Sequence, residues 1–567
     1  MKKSIVFASL VALPGLMLAQ SAIDAYRLSQ PDLKGTARFM GMAGAFTALG
    51  GDLSTISQNP AGIGVFRKND IGFTLNLDCQ NATSAWTGNQ FQQTIDQTKF
   101  LLNNIGFVWT IRLPLESCPN VNFGFTYNKS VSFNRRYTGM MPLSGSLSEL
   151  IASNANYYGY KPDDLAMGNN YNPYFDSNYD WLSILGYNSY LISPMGNQYI
   201  GQWAGETDAT GNITSQTSGT GYFDVKESGG IDSYNIAFGG NIHNVVYWGM
   251  DFDIIHMNYN IDAFWDENLD NAYVGNNDGG IVRQNYSDWS LYNWYNCNGT
   301  GFNYKLGLIV KPIPELRLGF SFATPTWYNL TENYYADIQY LNGNKPLASQ
   351  YDFFSTPTAY DNVNLRTPWK LNAGAALVLF NRLIVSADYE WNKYSTMKWS
   401  VPSSGGWYDP WTDNPWYDPW YSSTPDTRAN YISNDPYYET NRNIQNYYKA
   451  TNTFRIGAEL RLTDRFSLRA GYSHVDSPVT SELKSDNDLI ATAGTLPNYR
   501  VDNSTNYVTA GLGYNFDRFY IDAAYVYKHM DSEYHAYSPD PEILLPSPKS
   551  KLSLNNSQIV LSAGFKF

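Results

Sequence analysis

Apolar and polar residues alternate with a period of two along most of the chain beyond Asp70, the spacing of strands whose successive side chains face opposite ways. The first run is Ile71, Phe73, Leu75 and Leu77, followed by Ile105, Phe107, Trp109 and Ile111, then by Val121, Phe123, Phe125 and Tyr127. Comparable runs recur to the C-terminus, where Ile559, Leu561, Ala563, Phe565 and Phe567 close the chain on an aromatic residue. The pattern predicts about fourteen strands, an even number that returns both ends to one side of a membrane. Tight connections are expected near 242–244, 311–314, 380–382, 463–465 and 516–518. Long polar and aromatic segments, expected as outer loops, alternate with them at roughly 135–231, 261–299, 330–365, 396–450, 476–503 and 530–555. Short turns on one side and long loops on the other distinguish a transmembrane barrel from a soluble β-sandwich. The fold class predicted is therefore all-β, a transmembrane antiparallel β-barrel, with residues 70–567 forming the barrel and its extracellular loops.

Composition sharpens this reading. Of 567 residues 16% are aromatic and only 16% charged, and a mean hydropathy of -0.39 is too polar for a helical membrane protein but normal for a barrel that hides its lipid-facing residues in alternation. A net charge of -13 argues against a nucleic-acid partner. Cys79, Cys118 and Cys297 are too far apart for a compact metal-ligand set or a disulfide framework. Residues 1–19 pair Lys2 and Lys3 with an apolar run from Ile5 to Leu18 and a small residue before Gln20, which reads as a signal peptide cleaved after Ala19. The predicted location is the outer membrane of a Gram-negative bacterium.

Residues 20–69 do not alternate. Gly35 to Asp52 is rich in Gly and Ala, which permit close backbone approach, and Asn59-Pro60-Ala61-Gly62 forms a rigid turn just ahead of the first strand. This segment, with Asp52, Ser54 and Thr55, resembles the FadL-type outer-membrane transporters of long-chain fatty acids and other hydrophobic compounds, as found in Bacteroidetes-type bacteria. Thr367-Pro368-Trp369-Lys370, Ser386-Ala387-Asp388-Tyr389-Glu390-Trp391, Leu468-Arg469-Ala470-Gly471-Tyr472 and Gly511-Leu512-Gly513-Tyr514 are similar to that family's strand signatures. The resemblance implies a fourteen-stranded barrel whose lumen is closed by an N-terminal plug, here 20–69, with Asn59, Pro60, Ala61 and Gly62 in the gating hatch. It also implies passive uptake of a hydrophobic small molecule into a luminal pocket, release after a hatch change, sometimes through an opening in the wall, and no chemistry on the ligand. The outer loops are longer than a typical member's. A receptor for haemin or another ligand, or a structural or secretion-associated barrel that binds protein partners, is the alternative. The other partners implied are outer-membrane lipid or lipopolysaccharide and, through the terminal aromatic strand, the barrel-assembly machinery.

Alternation places Lys305, Lys370, Asp388, Glu390, Arg455, Glu459, Arg461, Arg469, Asp522 and Lys528 on the luminal face. Mixed signs on neighbouring strands suit a network that braces wall and hatch, or one in which Lys305, Lys370 or Arg455 holds a ligand carboxylate. Trp407, Trp411, Trp416 and Trp420 belong to a near-duplicate Trp-Tyr-Asp-Pro-Trp, which is either a self-packed loop or a platform that collects an apolar ligand. Asp266, Glu267, Asp270 and Asp278 are expected together in an outer loop, without the spacing of an EF-hand, and no metal or cofactor is expected. No nucleophile elbow or phosphate loop is present, so the reading is not an enzyme.

Overall fold

The computed structural model describes residues 20–86, 92–168, 170–176, 178–207, 213–275, 280–342, 345–346, 349–380, 382–402 and 435–567. The expected signal peptide, residues 1–19, and Trp407, Trp411, Trp416 and Trp420 lie outside the described residues.

Among the described residues fourteen antiparallel strands close into one barrel. They are β1 (Asp70–Ala85), β2 (Gln92–Arg112), β3 (Asn120–Ser132, continued by Arg135–Pro142), β4 (Ser218–Ile242), β5 (Val246–Gly275), β6 (Ile281–Ile313) and β7 (Leu316–Ala323, continued by Trp327–Tyr340). The second half comprises β8 (Ala359–Arg366, continued by Lys370–Leu379), β9 (Leu383–Lys393), β10 (Ala450–Arg461), β11 (Phe466–Val475), β12 (Tyr499–Phe516), β13 (Phe519–His535) and β14 (Lys549–Lys566). Asp70 of β1 lies opposite Val108 of β2 on one side and Lys566 of β14 on the other, so the sheet closes on itself. β7 and β8 are each broken at a proline, Pro325 and Pro368, because proline lacks the ladder donor. The two breaks lie side by side, and the Thr326 and Thr367 amides bond the Thr367 hydroxyl (2.9 Å) and the Thr326 carbonyl (3.0 Å).

The outward side chains form an apolar band. On β13 Phe519, Ile521, Tyr525 and Tyr527 are exposed, and His529 and Asp531 follow them on the same face. Such a band spans the roughly 9–11 residues that a tilted strand needs to cross a bilayer core. Beyond it the strands continue and the apolar residues change face. On β5, Met250 and Ile254 point outward opposite buried Asp251 and Asp253, whereas higher up Met257, Tyr259, Ile261, Ala263 and Trp265 are buried and Asn258, Asn260 and Asp262 point outward. This inversion corrects the loop expectation. Much of 261–299, 330–365 and 530–555 is strand, extended past the membrane to 30 residues in β5 and 33 in β6. The extension is stable because its interior is packed: Trp289, Trp399, Tyr259, Tyr295 and Tyr340 are each almost wholly buried in one large cluster that fills the outer lumen. Helices Leu147–Tyr158 and Trp181–Asn188, capped at their N-termini by Ser146 and Asp180, cover this core.

Residues 20–69 run down the inside of the barrel. Helix α1 (Ala22–Arg27) sits in the outer core, where Tyr26 stacks on Tyr448 with ring centroids 5.0 Å apart. Helices α2 (Ala37–Gly41) and α3 (Thr55–Gln58) and the 3-10 turn Pro60–Val65 pack against the membrane-embedded wall. There the wall supplies glycine where the plug backbone touches it: a Cβ at Gly249 would lie 2.1 Å from the Pro60 carbonyl oxygen, and one at Gly319 2.1 Å from that of Thr47.

Candidate luminal binding site

Between the plug and the wall, at the level of the paired prolines, lies a cavity of about 230 Å³. Leu28, Leu33, Phe39, Ile255, Tyr328 and Tyr507 give it apolar surface, and Ser57 and Gln58 of the plug also border it. Lys305, Lys370 and Arg455, expected only to share the luminal face, are brought together in its lining with Glu390.

The three cations differ in their partners. Lys305 Nζ is held between Asp253 (2.8 Å) and Asp251 (3.2 Å), a buried pair that neutralises it. Arg455 Nη2 donates to Glu390 at 2.8 Å, while its buried Nη1 has no hydrogen-bond partner among the described residues. Lys370 has neither an ion pair nor a hydrogen bond among the described residues. Glu390 thus pairs directly with Arg455 and only at longer range with Lys370, which stands in the cavity lining with no direct partner among the described residues. A buried amine with no direct acceptor is costly until an acceptor joins it.

Below the cavity the plug is fastened by charge-assisted bonds. Asp388 accepts from the Thr47 amide at 2.7 Å, and Lys34 Nζ reaches Asp78 at 2.8 Å. Glu459 accepts from Arg38 and from Arg469 at 2.8 Å each, and Arg469 also donates to Asp522 at 2.5 Å. Asn59, Pro60, Ala61 and Gly62 are buried at this plug–wall contact rather than in the cavity. The Asn59 side chain caps the 3-10 turn by accepting from the Ala61 amide (3.1 Å) and donates to the Thr47 carbonyl (2.6 Å), which ties the two halves of the plug together.

Sequence reasoning missed the plug's own contribution, notably Asp32, which accepts from Lys528 at 3.1 Å, and Lys34. Nothing in a non-alternating segment marks which way a side chain points. Asp251 and Asp253 were missed as well, although their alternation with Met250, Phe252 and Ile254, on a strand whose other face is apolar, is a signal that could have found them.

The acidic group expected in an outer loop is instead on β5. Glu267 accepts from the Leu147 amide (2.8 Å) and from Trp265 Nε1 (2.9 Å), and Asp278 lies outside the described residues. Burial raises Glu267 to about 7, and burial with the Glu267 charge nearby raises Glu149 to about 8. Both stand above the membrane band. Deeper in the outer core Glu227 pairs with Arg135 (3.0 Å) and Arg500 (3.1 Å); burial would raise its pKa, but Arg135, Arg500 and Arg27 outweigh it and hold the carboxyl below its usual value. No cluster of His, Cys, Asp or Glu that could hold a metal occurs among the described residues.

The family profile described as "Outer membrane protein transport protein (OMPP1/FadL/TodX)" matches residues 235–567. Among solved structures the chain is similar to a Pseudomonas aeruginosa FadL homologue, at 14% identity over 95% of this chain and 99% of that one, with a TM-score of 0.50. It is also similar to the P. putida toluene transporter TodX, at 12% identity over 94% and 99%, with a TM-score of 0.48. No curated protein sequence matches the chain.

Proposed function

The chain belongs to the outer membrane protein transport protein family (OMPP1/FadL/TodX), and from that premise we propose that it admits, down a concentration gradient, a hydrophobic molecule carrying an anionic head, of the fatty-acid type. The observation that carries this reading is Lys370, which has no direct ion-pair or hydrogen-bond partner among the described residues, in a cavity whose lining also includes Leu28, Leu33, Phe39 and Tyr328. A carboxylate there would take the unused donors while its tail buries apolar surface at about 25 cal/mol per Å². At about 230 Å³ the cavity is smaller than the roughly 300–1,000 Å³ of ligand pockets that enclose a drug-sized molecule, so a long tail enters only as the plug shifts. The hatch role of Asn59 to Gly62 is part of the same proposal, since Asn59, Pro60 and Ala61 press on the wall where Gly249 and Gly307 leave no room for a Cβ. No reaction on the ligand is required.

The test is equilibrium binding of a long-chain fatty acid and of an uncharged hydrocarbon of similar length to the purified barrel. Lys370→Met and Arg455→Met should each weaken the acid by roughly 10–100-fold, the worth of a lost charged hydrogen bond, and leave the hydrocarbon unchanged. Equal effects on both ligands, or none, would sink the proposal. A second reading, a receptor or scaffold that binds protein with its outer end, is supported by the packed core that fills the outer lumen. It predicts retention of a partner protein and no ligand in the cavity.

A further inference from the structure

The first described residue, Gln20, is 2% exposed although it adjoins the expected signal-peptide cleavage point. It lies in the outer lumen, above the membrane band. Its side-chain amide donates to Glu332 Oε2 at 2.5 Å and to Asp361 Oδ2 at 3.3 Å, and its carbonyl accepts from Thr440 at 3.5 Å. The next carbonyl, of Ser21, accepts from Trp399 Nε1 at 3.0 Å.

Glu332 is an unusual acid to find there. It is wholly buried on β7, accepts a second bond from Tyr295 at 2.6 Å, and has no ion-pair partner among the described residues; nor has Asp361. The charged groups around it are Asp24 of α1 and Asp361 of β8, both acidic, with Tyr295 and Cys297 on β6. The nearest cation of α1, Arg27, is already taken by Asp24 at 2.9 Å. Burial accordingly raises Glu332 to about 8. Two carboxyls therefore face one another across Gln20 without a countercharge, which is expensive in a packed interior. The Gln20 backbone nitrogen makes no hydrogen bond to any described residue, and the side chain on the same residue reaches both acids.

We propose that the Glu332–Asp361 pair is a receptor for the α-ammonium group of the processed N-terminus, so that removal of the leader creates the charge that anchors the plug in the outer lumen. The inference rests on cleavage after Ala19. A leader peptidase hydrolyses the Ala19–Gln20 bond, water supplying the hydroxyl to the Ala19 carbonyl carbon and a proton to the Gln20 nitrogen. The new amine takes a further proton from solvent and pairs with Glu332 and Asp361. An N-terminal glutamine can alternatively cyclise, its amine attacking its own side-chain amide carbon and expelling ammonia. Engagement of that amide by both acids holds it away from this reaction.

The experiment uses the processed protein purified from outer membranes in mild detergent. The N-terminal peptide is identified by mass, and its α-amine is titrated by amine-selective acylation across pH, with the exposed Lys161 as reference. A free α-amine has a midpoint near about 7.7–8.0. Pairing raises it by at least one unit, which slows labelling at pH 8 by about four- to sixfold or more, whereas burial without a partner lowers it. The midpoint should fall back in Glu332→Gln and in a chain carrying one extra alanine before Gln20, which displaces the ammonium. If Glu332→Gln does not assemble, the native midpoint and the extended chain decide. An ordinary or lowered native midpoint, a cyclised glutamine, or a first residue other than Gln20 would each overturn the proposal.

Discussion

Adding a single methyl group at Gly307 tests whether the plug is held by backbone contact with the wall. A Cβ on β6 at this position would lie 2.0 Å from Asn59 Oδ1 and 2.6 Å from the Ala61 nitrogen, both closer than atoms can approach, and 3.0 Å from Pro60 Cδ, a tight contact. Two of the three neighbours cannot swing aside, because one is backbone and one a proline ring. Gly307→Ala must therefore push the Asn59–Pro60–Ala61 corner inward. This displaces the cap on Ala61 (3.1 Å) and the bond from Asn59 to Thr47 (2.6 Å). Overpacking costs about 1–3 kcal/mol, a lost cap about 1 and a lost neutral hydrogen bond about 0.5–1.5. The total, about 2.5–5.5 kcal/mol, favours the unseated plug by at least roughly 70-fold over wild type. The assay pairs amide hydrogen exchange at residues 60–66 with entry of a bulky antibiotic that the intact outer membrane excludes. Both should increase while the barrel keeps its heat-modifiable migration. Gly168→Ala, where an added Cβ meets nothing within 4 Å, is the control. Unchanged exchange and unchanged exclusion in Gly307→Ala would refute the argument that this glycine exists to seat the hatch.

Arg469 bridges Glu459 and Asp522, so Arg469→Met should cost about 3–5 kcal/mol by leaving Asp522 buried without its cation, read as a lower unfolding temperature in detergent. Glu149 and Glu267, raised to about 8 and about 7, bind more protons folded than unfolded, so the outer cap is most stable below about pH 4.5 and loses several kcal/mol, on the order of 1.4 per pH unit for each group, as pH rises from there through about 7 and about 8. Proteolysis within Leu147–Tyr158 should thus be faster at pH 9 than at pH 5, and Glu267→Gln should flatten the profile. Asn59→Ala should loosen the plug in the same exchange assay, by about 1–2 kcal/mol, without the steric component of Gly307→Ala.

The membrane-embedded half of the fold was legible because one rule, apolar outward and polar inward, holds from Ile71 to Phe567 and is punctuated by tight turns such as Phe516-Asp517-Arg518. The upper half was not, for a physical reason. Above Ile254 and Phe302 the solvent outside changes from lipid to water and the interior from a polar lumen to a packed core, so the same strand exchanges its apolar and polar faces. A reading that follows outward hydrophobicity loses the strand where the pattern inverts and records a loop. The candidate site was half legible. Lys305, Lys370 and Arg455 followed from strand parity, but nothing in the sequence distinguishes the neutralised Lys305 from the unpaired Lys370, because that difference rests on which neighbouring strand carries Asp251 and Asp253.

The most direct test of the central claim is native mass spectrometry of the gently purified barrel, with extraction and identification of whatever occupies it, on wild type and on the Lys370→Met, Arg455→Met double variant. The account predicts a bound amphiphile with an acidic head in the wild type, lost from the variant while the barrel mass is otherwise unchanged. An empty cavity with a tightly held partner protein, or a ligand retained equally by the variant, would contradict it.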